Sequence, residues 1–155
     1  MERATALSLV GAGTAGPDLQ RLAYETGRRI AAAGCVLVCG GLGGVMEAAC
    51  RGAREAGGRT VGILPGIDPG AANPWVEVAV ATGMGHARNA VVVQSGRAVV
   101  ALPGSWGTLS EVALALKVGR PVVGLGAWGH VEGVRTASTP AEAVARALAA
   151  AEAGT

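Results

Sequence analysis

The sequence predicts an α/β protein with a Rossmann-like fold, in which a doubly wound, mainly parallel sheet carries helices on both faces. The first observation is composition: half of the 155 residues are apolar, only 3% are aromatic, and 26 are glycine. Such a mixture suits helices that pack closely on a valine-rich parallel sheet. The second is order, because short valine-rich runs alternate with longer runs of helical spacing, as in right-handed βαβ units. The third is that three of the short runs end in glycine-rich loops.

The predicted strands are short runs of apolar and β-branched residues with few charges. They cover residues 6–10, 36–39, 60–64, 77–81, 98–102 and 122–125. The predicted helices have apolar residues three and four positions apart, and cover 18–33, 45–56, a segment ending at 95, 108–118 and 140–153. Thr139-Pro140-Ala141-Glu142 is a good start for the last helix, since it offers an N-cap, a proline at the first position and a glutamate three residues on. Residues 65–75 form a candidate binding or subunit-contact loop, and residues 126–136 fit no single element.

Composition and cysteine usage narrow the class of protein. The length predicts one domain, residues 1–155, with a core of its own. The formal net charge of +2 and the scattered arginines argue against a nucleic-acid partner. Three cysteines without a Cys-x-x-Cys spacing favour a reducing compartment over a disulfide framework or a zinc site. The apolar runs are too short for a membrane helix and the N-terminus resembles a strand rather than a signal peptide, so we expect a cytoplasmic protein without a membrane partner.

Residues Gly11 to Gly16 follow the first strand and spell G-x-G-x-x-G, the pattern of dinucleotide-binding loops. That interpretation requires an acidic residue at the end of the second strand to hold the ribose hydroxyls. The second strand ends in Cys39-Gly40-Gly41 instead, which argues against NAD. Two alternatives remain open. The motif is either a tight turn that lets a helix approach the sheet, or a set of backbone N–H groups that line a nucleotide pocket of another kind.

Two further glycine loops follow strands, one at residues 40–44 and one at residues 103–107. A strand–loop–helix junction directs free backbone N–H groups and the positive end of a helix dipole at one spot, where a phosphate or carboxylate is stabilised. Because ligands of parallel sheets bind beyond the carboxyl ends of the strands, we expect the three loops to converge. The predicted phosphate-binding residues are Gly13, Thr14, Gly40, Gly41, Gly43, Gly44, Pro103, Gly104, Ser105, Gly107 and Thr108.

The segment from Pro103 to Glu111 resembles the P-G-G-x-G-T-x-x-E signature of the "lonely guy" family, and residues 40–46 resemble its G-G-G-x-x-G-L-M stretch. That family contains the cytokinin-activating nucleoside 5′-monophosphate phosphoribohydrolases, long mislabelled as lysine decarboxylases. Residues 84–89 are more similar to a sister branch of short bacterial proteins, which includes carriers of the molybdenum cofactor. The resemblance implies that Glu111 and Arg88 are the functional carboxylate and arginine, and that the chain forms a homo-oligomer, a dimer or tetramer.

Three positions depart from the family's pattern. Ser105 replaces the second glycine of P-G-G, and Asn89 follows Arg88 where the family has a lysine. Glu47 follows Met46 where the hydrolases commonly have glycine. These departures weaken the prediction of hydrolase activity more than the predictions of the fold and of the phosphate site.

The candidate catalytic residues also have structural interpretations. Thr108 and Glu111 stand as Thr-x-x-Glu, a capping box that would serve helix stability alone; the alternative is a carboxylate that also faces the ligand. Arg88 near a helix start opposes the helix dipole, which suggests an anionic partner: a ligand, Glu111 or a surface carboxylate. Glu47 could simply offset the dipole of its own helix.

Three other side chains are also open to more than one interpretation. His86, in a loop, is expected to be structural rather than catalytic, and Cys39 to be a small buried apolar residue. Trp106 is a large aromatic residue in a tight loop, where it would either stack on a base or fill a subunit contact.

The expected ligand is a phosphorylated nucleotide-like small molecule, bound without a metal ion or cofactor. In the enzyme hypothesis, a nucleoside 5′-monophosphate is hydrolysed to free base and ribose 5-phosphate, with Glu111 stabilising the oxocarbenium character of the ribose. Arg88 would position Glu111 or the phosphate. The alternative is a non-catalytic carrier or sensor of a phosphorylated cofactor such as the molybdenum cofactor. Lysine decarboxylation is excluded, because a pyridoxal enzyme needs a Schiff-base lysine in its site and Lys117, the only lysine, lies deep in a helix.

Overall fold

Seven strands form one sheet in the computed structural model, which describes residues 1–154. The strand order is β4-β3-β2-β1-β5-β6-β7, and every neighbouring pair is parallel. The strands are β1 (Ala6–Val10), β2 (Val36–Cys39), β3 (Thr60–Leu64), β4 (Val78–Ala81), β5 (Val99–Ala101), β6 (Val122–Leu125) and β7 (Arg135–Ala137). The helices are α1 (Pro17–Ala32), α2 (Val45–Glu55), α3 (Arg88–Ser95), α4 (Trp106–Lys117) and α5 (Pro140–Ala153), with 3-10 turns at Pro69–Ala71 and Gly85–Ala87.

Helices cover both faces of the sheet, which confirms the predicted doubly wound fold. α1, α2 and α5 pack on one face, and α3 and α4 pack on the other. Successive residues of β1 point to opposite faces, so Leu9 lies in the core beneath α1 and α2 and Val10 in the core beneath α3 and α4. Ser8 faces α3, where its hydroxyl donates to the Val92 carbonyl (2.6 Å) and accepts from the Gly96 N–H (3.0 Å). This buried polar group is therefore satisfied.

Two glycines bring the backbones of α1 and α2 into direct contact. A Cβ atom at Gly27 would overlap the carbonyl oxygen of Ala49, and one at Gly52 would overlap that of Tyr24. Only glycine permits so close an approach without a shift of one helix.

The predicted bounds of β1, β2, β3, β6 and α5 and the predicted end of α3 match the observed elements, and the remaining predicted elements differ by one or two residues at their ends. The stretch without an assignment, residues 126–136, is mostly turns and leads into β7. The start of α5 is also as predicted, since the Thr139 hydroxyl oxygen accepts from the Glu142 N–H at 3.2 Å. Among residues 1–154, no helix combines the length and the hydropathy that a membrane crossing requires.

Candidate functional site

A cavity of about 150 Å³ lies where the strand order reverses, beyond the carboxyl ends of β1 and β5. The chain leaves β1 toward one face of the sheet and β5 toward the other, so a crevice opens between the two connections. The first cavity is lined by Leu9, Val10, Gly11, Ala12, Gly13, Gly40, Met46, His86, Arg88, Asn89, Ser105, Gly107, Thr108 and Glu111.

The three glycine loops meet at this rim through their backbones. The Ala12 N–H donates to the Pro103 carbonyl at 2.9 Å, which joins the first loop to the third. The Val45 N–H donates to the Ala12 carbonyl at 2.9 Å, which joins the second loop to the first. Gly44, at φ 62°, packs so closely on Ala12 and Gly13 that a Cβ atom would overlap the Ala12 carbonyl. Their positions after β1, β2 and β5 thus bring the loops together, as parallel strands require.

The N-terminus of α4 opens onto the cavity. Ser105 is the N-cap residue, and within the described chain its hydroxyl makes no capping hydrogen bond. The first backbone N–H groups of the helix therefore stay available to a ligand, and the helix dipole adds partial positive charge. Gly104 permits this tight entry, since a Cβ atom there would overlap the Thr108 hydroxyl. The arrangement is suited to a phosphate group.

Glu111 lies one turn further along α4, on the wall of the same cavity, with only 8% of its surface exposed. Burial raises its pKa to about 7, although the nearby Arg88 guanidinium acts in the opposite direction. The capping-box interpretation of Glu111 is wrong. Because α4 begins at Trp106, Thr108 is the third residue of the helix and not its N-cap, so Glu111 is too far inside to reach the helix start.

Arg88 is the first residue of α3, and its side chain is buried against the cavity. One guanidinium nitrogen, Nη1, donates to the Asn89 side-chain oxygen. Asn89 in turn donates to the Ser110 hydroxyl (3.1 Å), and Ser110 donates to the Gly107 carbonyl (2.7 Å). This chain of hydrogen bonds links Arg88 to the first turns of α4.

The Arg88 guanidinium retains unused hydrogen-bonding capacity. Its Nε is buried and has no hydrogen-bond partner anywhere in residues 1–154. None of the ion pairs within 4.0 Å that join described residues involves Arg88, so neither Glu111 nor a surface carboxylate pairs with it directly. A buried cation with an unpaired donor is costly unless a ligand completes it. Of the three expected partners for Arg88, neither carboxylate lies within ion-pair distance, although the charge of Arg88 still lowers the pKa of Glu111.

The predicted site residues divide into two groups. The residues that line the cavity are Gly13, Gly40, Ser105, Gly107, Thr108, Arg88 and Glu111. Most of the others shape the loops: Gly43 and Gly44 pack on the first loop, Gly104 accommodates Thr108, and the Pro103 carbonyl accepts from the Ala12 N–H. Gly41 is buried, with its N–H on the Cys39 sulfur, and Thr14 is exposed.

Some lining residues were not among the predicted site residues. His86, expected to be structural, lines the cavity, and so do Asn89 and Met46. Asn89 directly follows Arg88, and Met46 ends the second glycine motif. Their proximity in sequence to motif residues is the signal that could have predicted their place at the cavity. Trp106 does not line the cavity, although its two neighbours do, and 84% of it is exposed.

Comparison with known proteins identifies the family. The sequence profile of the SLOG cluster4 family matches residues 4–153. The chain belongs to this family. A cytokinin riboside 5′-monophosphate phosphoribohydrolase from Mycobacterium tuberculosis is 34% identical over 128 residues, covering 76% of this chain and 68% of that protein. The resemblance to the "lonely guy" family is thereby confirmed.

Solved structures of similar proteins bind or carry the molybdenum cofactor. The molybdenum cofactor binding protein of Rippkaea orientalis is 37% identical, with a TM-score of 0.89 over 96% of this chain and 98% of that one. The molybdenum cofactor carrier protein of Chlamydomonas reinhardtii is 34% identical, with a TM-score of 0.86 over the same shares of the two chains. These two cofactor-binding relatives therefore share this fold.

Proposed function

We propose that the first cavity binds the phosphate of a nucleotide-like small molecule. The observation that carries the proposal is the buried Arg88 guanidinium. Its Nε lacks a hydrogen-bond partner in residues 1–154, and Arg88 lines the same cavity as the first residues of α4. A phosphate oxygen accepts hydrogen bonds from both the guanidinium and the helix N–H groups. The glycines of the third loop let the phosphate approach the backbone closely.

We further propose that the bound ligand is a nucleoside 5′-monophosphate and that Glu111 promotes hydrolysis of its N-glycosidic bond. A pKa of about 7 leaves a substantial fraction of Glu111 ionised at neutral pH, and still basic enough to accept a proton. Water adds to the anomeric carbon as the bond to the base nitrogen breaks, and Glu111 takes a proton from the water. Transfer of that proton through solvent to the departing base nitrogen completes the reaction and regenerates the carboxylate. The carboxylate also stabilises the positive charge that develops on the ribose. The products are free base and ribose 5-phosphate.

A non-catalytic carrier is the second candidate, and the identity at position 89 favours it. Asn89 is neutral and is already hydrogen-bonded to Arg88 and Ser110, so it adds no second cation to the site. The relatives that bind or carry the molybdenum cofactor match over nearly the whole chain. In this case the site would hold a phosphorylated cofactor intact.

That the chain forms a homo-oligomer and that it is located in the cytoplasm stay predictions. Light scattering of the purified protein tests the oligomeric state.

Chromatographic detection of free base from a panel of nucleoside 5′-monophosphates tests the enzyme proposal. We expect Glu111→Gln to lower the rate by about 10²–10⁴-fold, the usual contribution of a positioned acid or base. Arg88→Ala should raise KM roughly tenfold to a hundredfold through the lost phosphate contacts. The wild-type rate should rise with pH and reach half its maximum near pH 7, because Glu111 acts in its ionised form.

Glu25→Gln is the matched control, since Glu25 lies on α1 in an ion pair with Arg28, remote from the first cavity. Absence of base release from every monophosphate in the panel contradicts the enzyme proposal. Native mass spectrometry of the purified protein then separates the two candidates, because a carrier retains an intact phosphorylated ligand.

A further inference from the structure

A second cavity, of about 220 Å³, lies beside the first, between the N-terminal halves of α1 and α2 and the segment before β4. Gly44 lines this second cavity and packs directly on Gly13, which lines the first. A ridge of glycine backbone therefore separates the two cavities. Since glycines have no side chains, no side chain of Gly13 or Gly44 stands between the two cavities.

Two opposite charges on α2 face the second cavity. Glu47 and Arg51 are four residues apart and both line it, so their side chains lie on the same side of the helix. Glu47 and Arg51 do not form an ion pair within 4.0 Å. Within residues 1–154, Glu47 forms no ion pair with any residue and its carboxylate accepts no hydrogen bond. The Arg51 guanidinium lies 4.8 Å over the Tyr24 ring, a cation–π contact that holds it aside. A carboxylate acceptor and a guanidinium donor are thus available side by side.

Trp75 supplies an aromatic surface to the same cavity. Its position is fixed through the backbone, since its N–H donates to the Asn73 side chain (3.0 Å) and its carbonyl accepts from the Thr60 hydroxyl (2.6 Å). Asn73 also donates to the Leu42 carbonyl (2.9 Å), which ties this segment to the second glycine loop. A half-buried tryptophan held in place offers a planar ring a surface to stack on.

We propose that the second cavity binds the heterocyclic ring of the ligand whose phosphate occupies the first, and that the ring carries the 2-amino-4-oxopyrimidine edge of guanine and pterins. The inference rests on the proposed phosphate site. This edge presents an amino group, a ring N–H and a carbonyl oxygen in a row. Glu47 accepts hydrogen bonds from the amino group and the ring N–H, and Arg51 donates to the carbonyl.

Adenine does not fit this pair of charges. It presents a ring nitrogen acceptor where guanine has the N–H, so the acceptor would face the Glu47 carboxylate. It also presents an amino donor where guanine has the carbonyl, so the donor would face Arg51. Sites built to hydrogen-bond a particular N–H discriminate strongly against analogues that lack it.

Calorimetric binding of GMP, IMP, AMP and ribose 5-phosphate to the full chain tests the inference, in the Glu111→Gln background so that ligands stay intact. IMP lacks only the 2-amino group of GMP. We expect GMP to bind at least about tenfold more tightly than IMP or AMP, as for a hydrogen bond to a charged group. Glu47→Gln should lower GMP affinity about tenfold and abolish the difference between GMP and IMP, with ribose 5-phosphate affinity unchanged.

Arg51→Gln provides a second, independent variant. It should weaken GMP and IMP alike, because both carry the ring carbonyl, and should leave AMP unchanged. Glu25→Gln again serves as the control and should alter no affinity. Equal affinities for GMP, IMP and AMP, together with measurable binding of ribose 5-phosphate, would overturn the inference and leave the phosphate site standing. If none of the phosphorylated ligands binds, the phosphate site and this inference both fail.

Discussion

Two units of the chain share the pattern of strand, glycine loop and helix, but they use their glycines differently. In the unit formed by β2 and α2, packing closes most of the loop, because the Gly41 N–H donates to the Cys39 sulfur (3.3 Å) and Gly44 packs against Gly13, while Gly40 still lines the first cavity. In the unit formed by β5 and α4, the loop is open, and Ser105 and Gly107 line the first cavity. The comparison shows that the same local pattern yields a loop with two glycines engaged in packing in one place and a helix start that opens onto the first cavity in the other.

The carboxylates of the two units differ in the same way. Glu47 is the third residue of α2, half-buried, and close to the positive end of its helix dipole. Glu111 is the sixth residue of α4, beyond the strongest influence of the dipole, and its burial raises its pKa to about 7. Burial therefore destabilises the charged form of the Glu111 carboxylate.

The largest expected effect concerns the two loops. Gly44→Ala should destabilise the protein by about 3 kcal/mol, since it adds a Cβ atom at φ 62° and overlaps the Ala12 carbonyl. Gly107→Ala should change stability by less than about 0.5 kcal/mol, because its Cβ would meet no atom of residues 1–154 within 4 Å. Urea unfolding of both variants measures the difference. Equal losses would show that the two loops are not packed differently.

The next effect concerns the carboxylates and depends on pH. Folding raises the pKa of Glu111 from 4.5 to about 7, so the native state binds protons more tightly and stability falls as pH rises between those values. Glu111→Gln should therefore stabilise the protein at pH 8 by roughly 2 kcal/mol and have little effect at pH 4. Glu47→Gln should instead destabilise it by about 0.5 kcal/mol through the lost dipole interaction. Thermal unfolding at both pH values checks the signs, and a loss of stability for Glu111→Gln at pH 8 would contradict the assignment.

The smallest effect concerns helix caps. Thr139→Ala should cost about 1 kcal/mol, because the Thr139 hydroxyl oxygen accepts from the Glu142 N–H at the start of α5. Ser105→Ala should cost little, since the Ser105 hydroxyl caps none of the N–H groups of α4 within the described chain. A comparable loss in Ser105→Ala would mean that α4 is capped after all and that its N–H groups are not reserved for a ligand.

The elements that local chemistry specifies were predicted well. The strands β1, β2, β3 and β6 are short runs of mostly apolar residues, each followed directly by glycine or proline, so their ends are visible in the sequence. The start of α4 was placed two residues late, at Thr108, because Trp106 and Gly107 look like loop residues. That error produced the mistaken capping box, since Thr-x-x-Glu is a cap only where the threonine precedes the helix. β7 was missed because three residues on an edge strand carry almost no periodic signal.

The sequence by itself determined the alternation of strands and helices, and hence that glycine loops follow β1, β2 and β5 at one edge of a parallel sheet. Only the tertiary structure decided which loop is closed and which is open, and that Arg88 is buried with an unpaired Nε near Glu111. The physical reason is that periodicity is a local property of the chain. Burial, shifted pKa values and shared cavities depend on atoms from segments far apart in the sequence, which meet only after the sheet has formed.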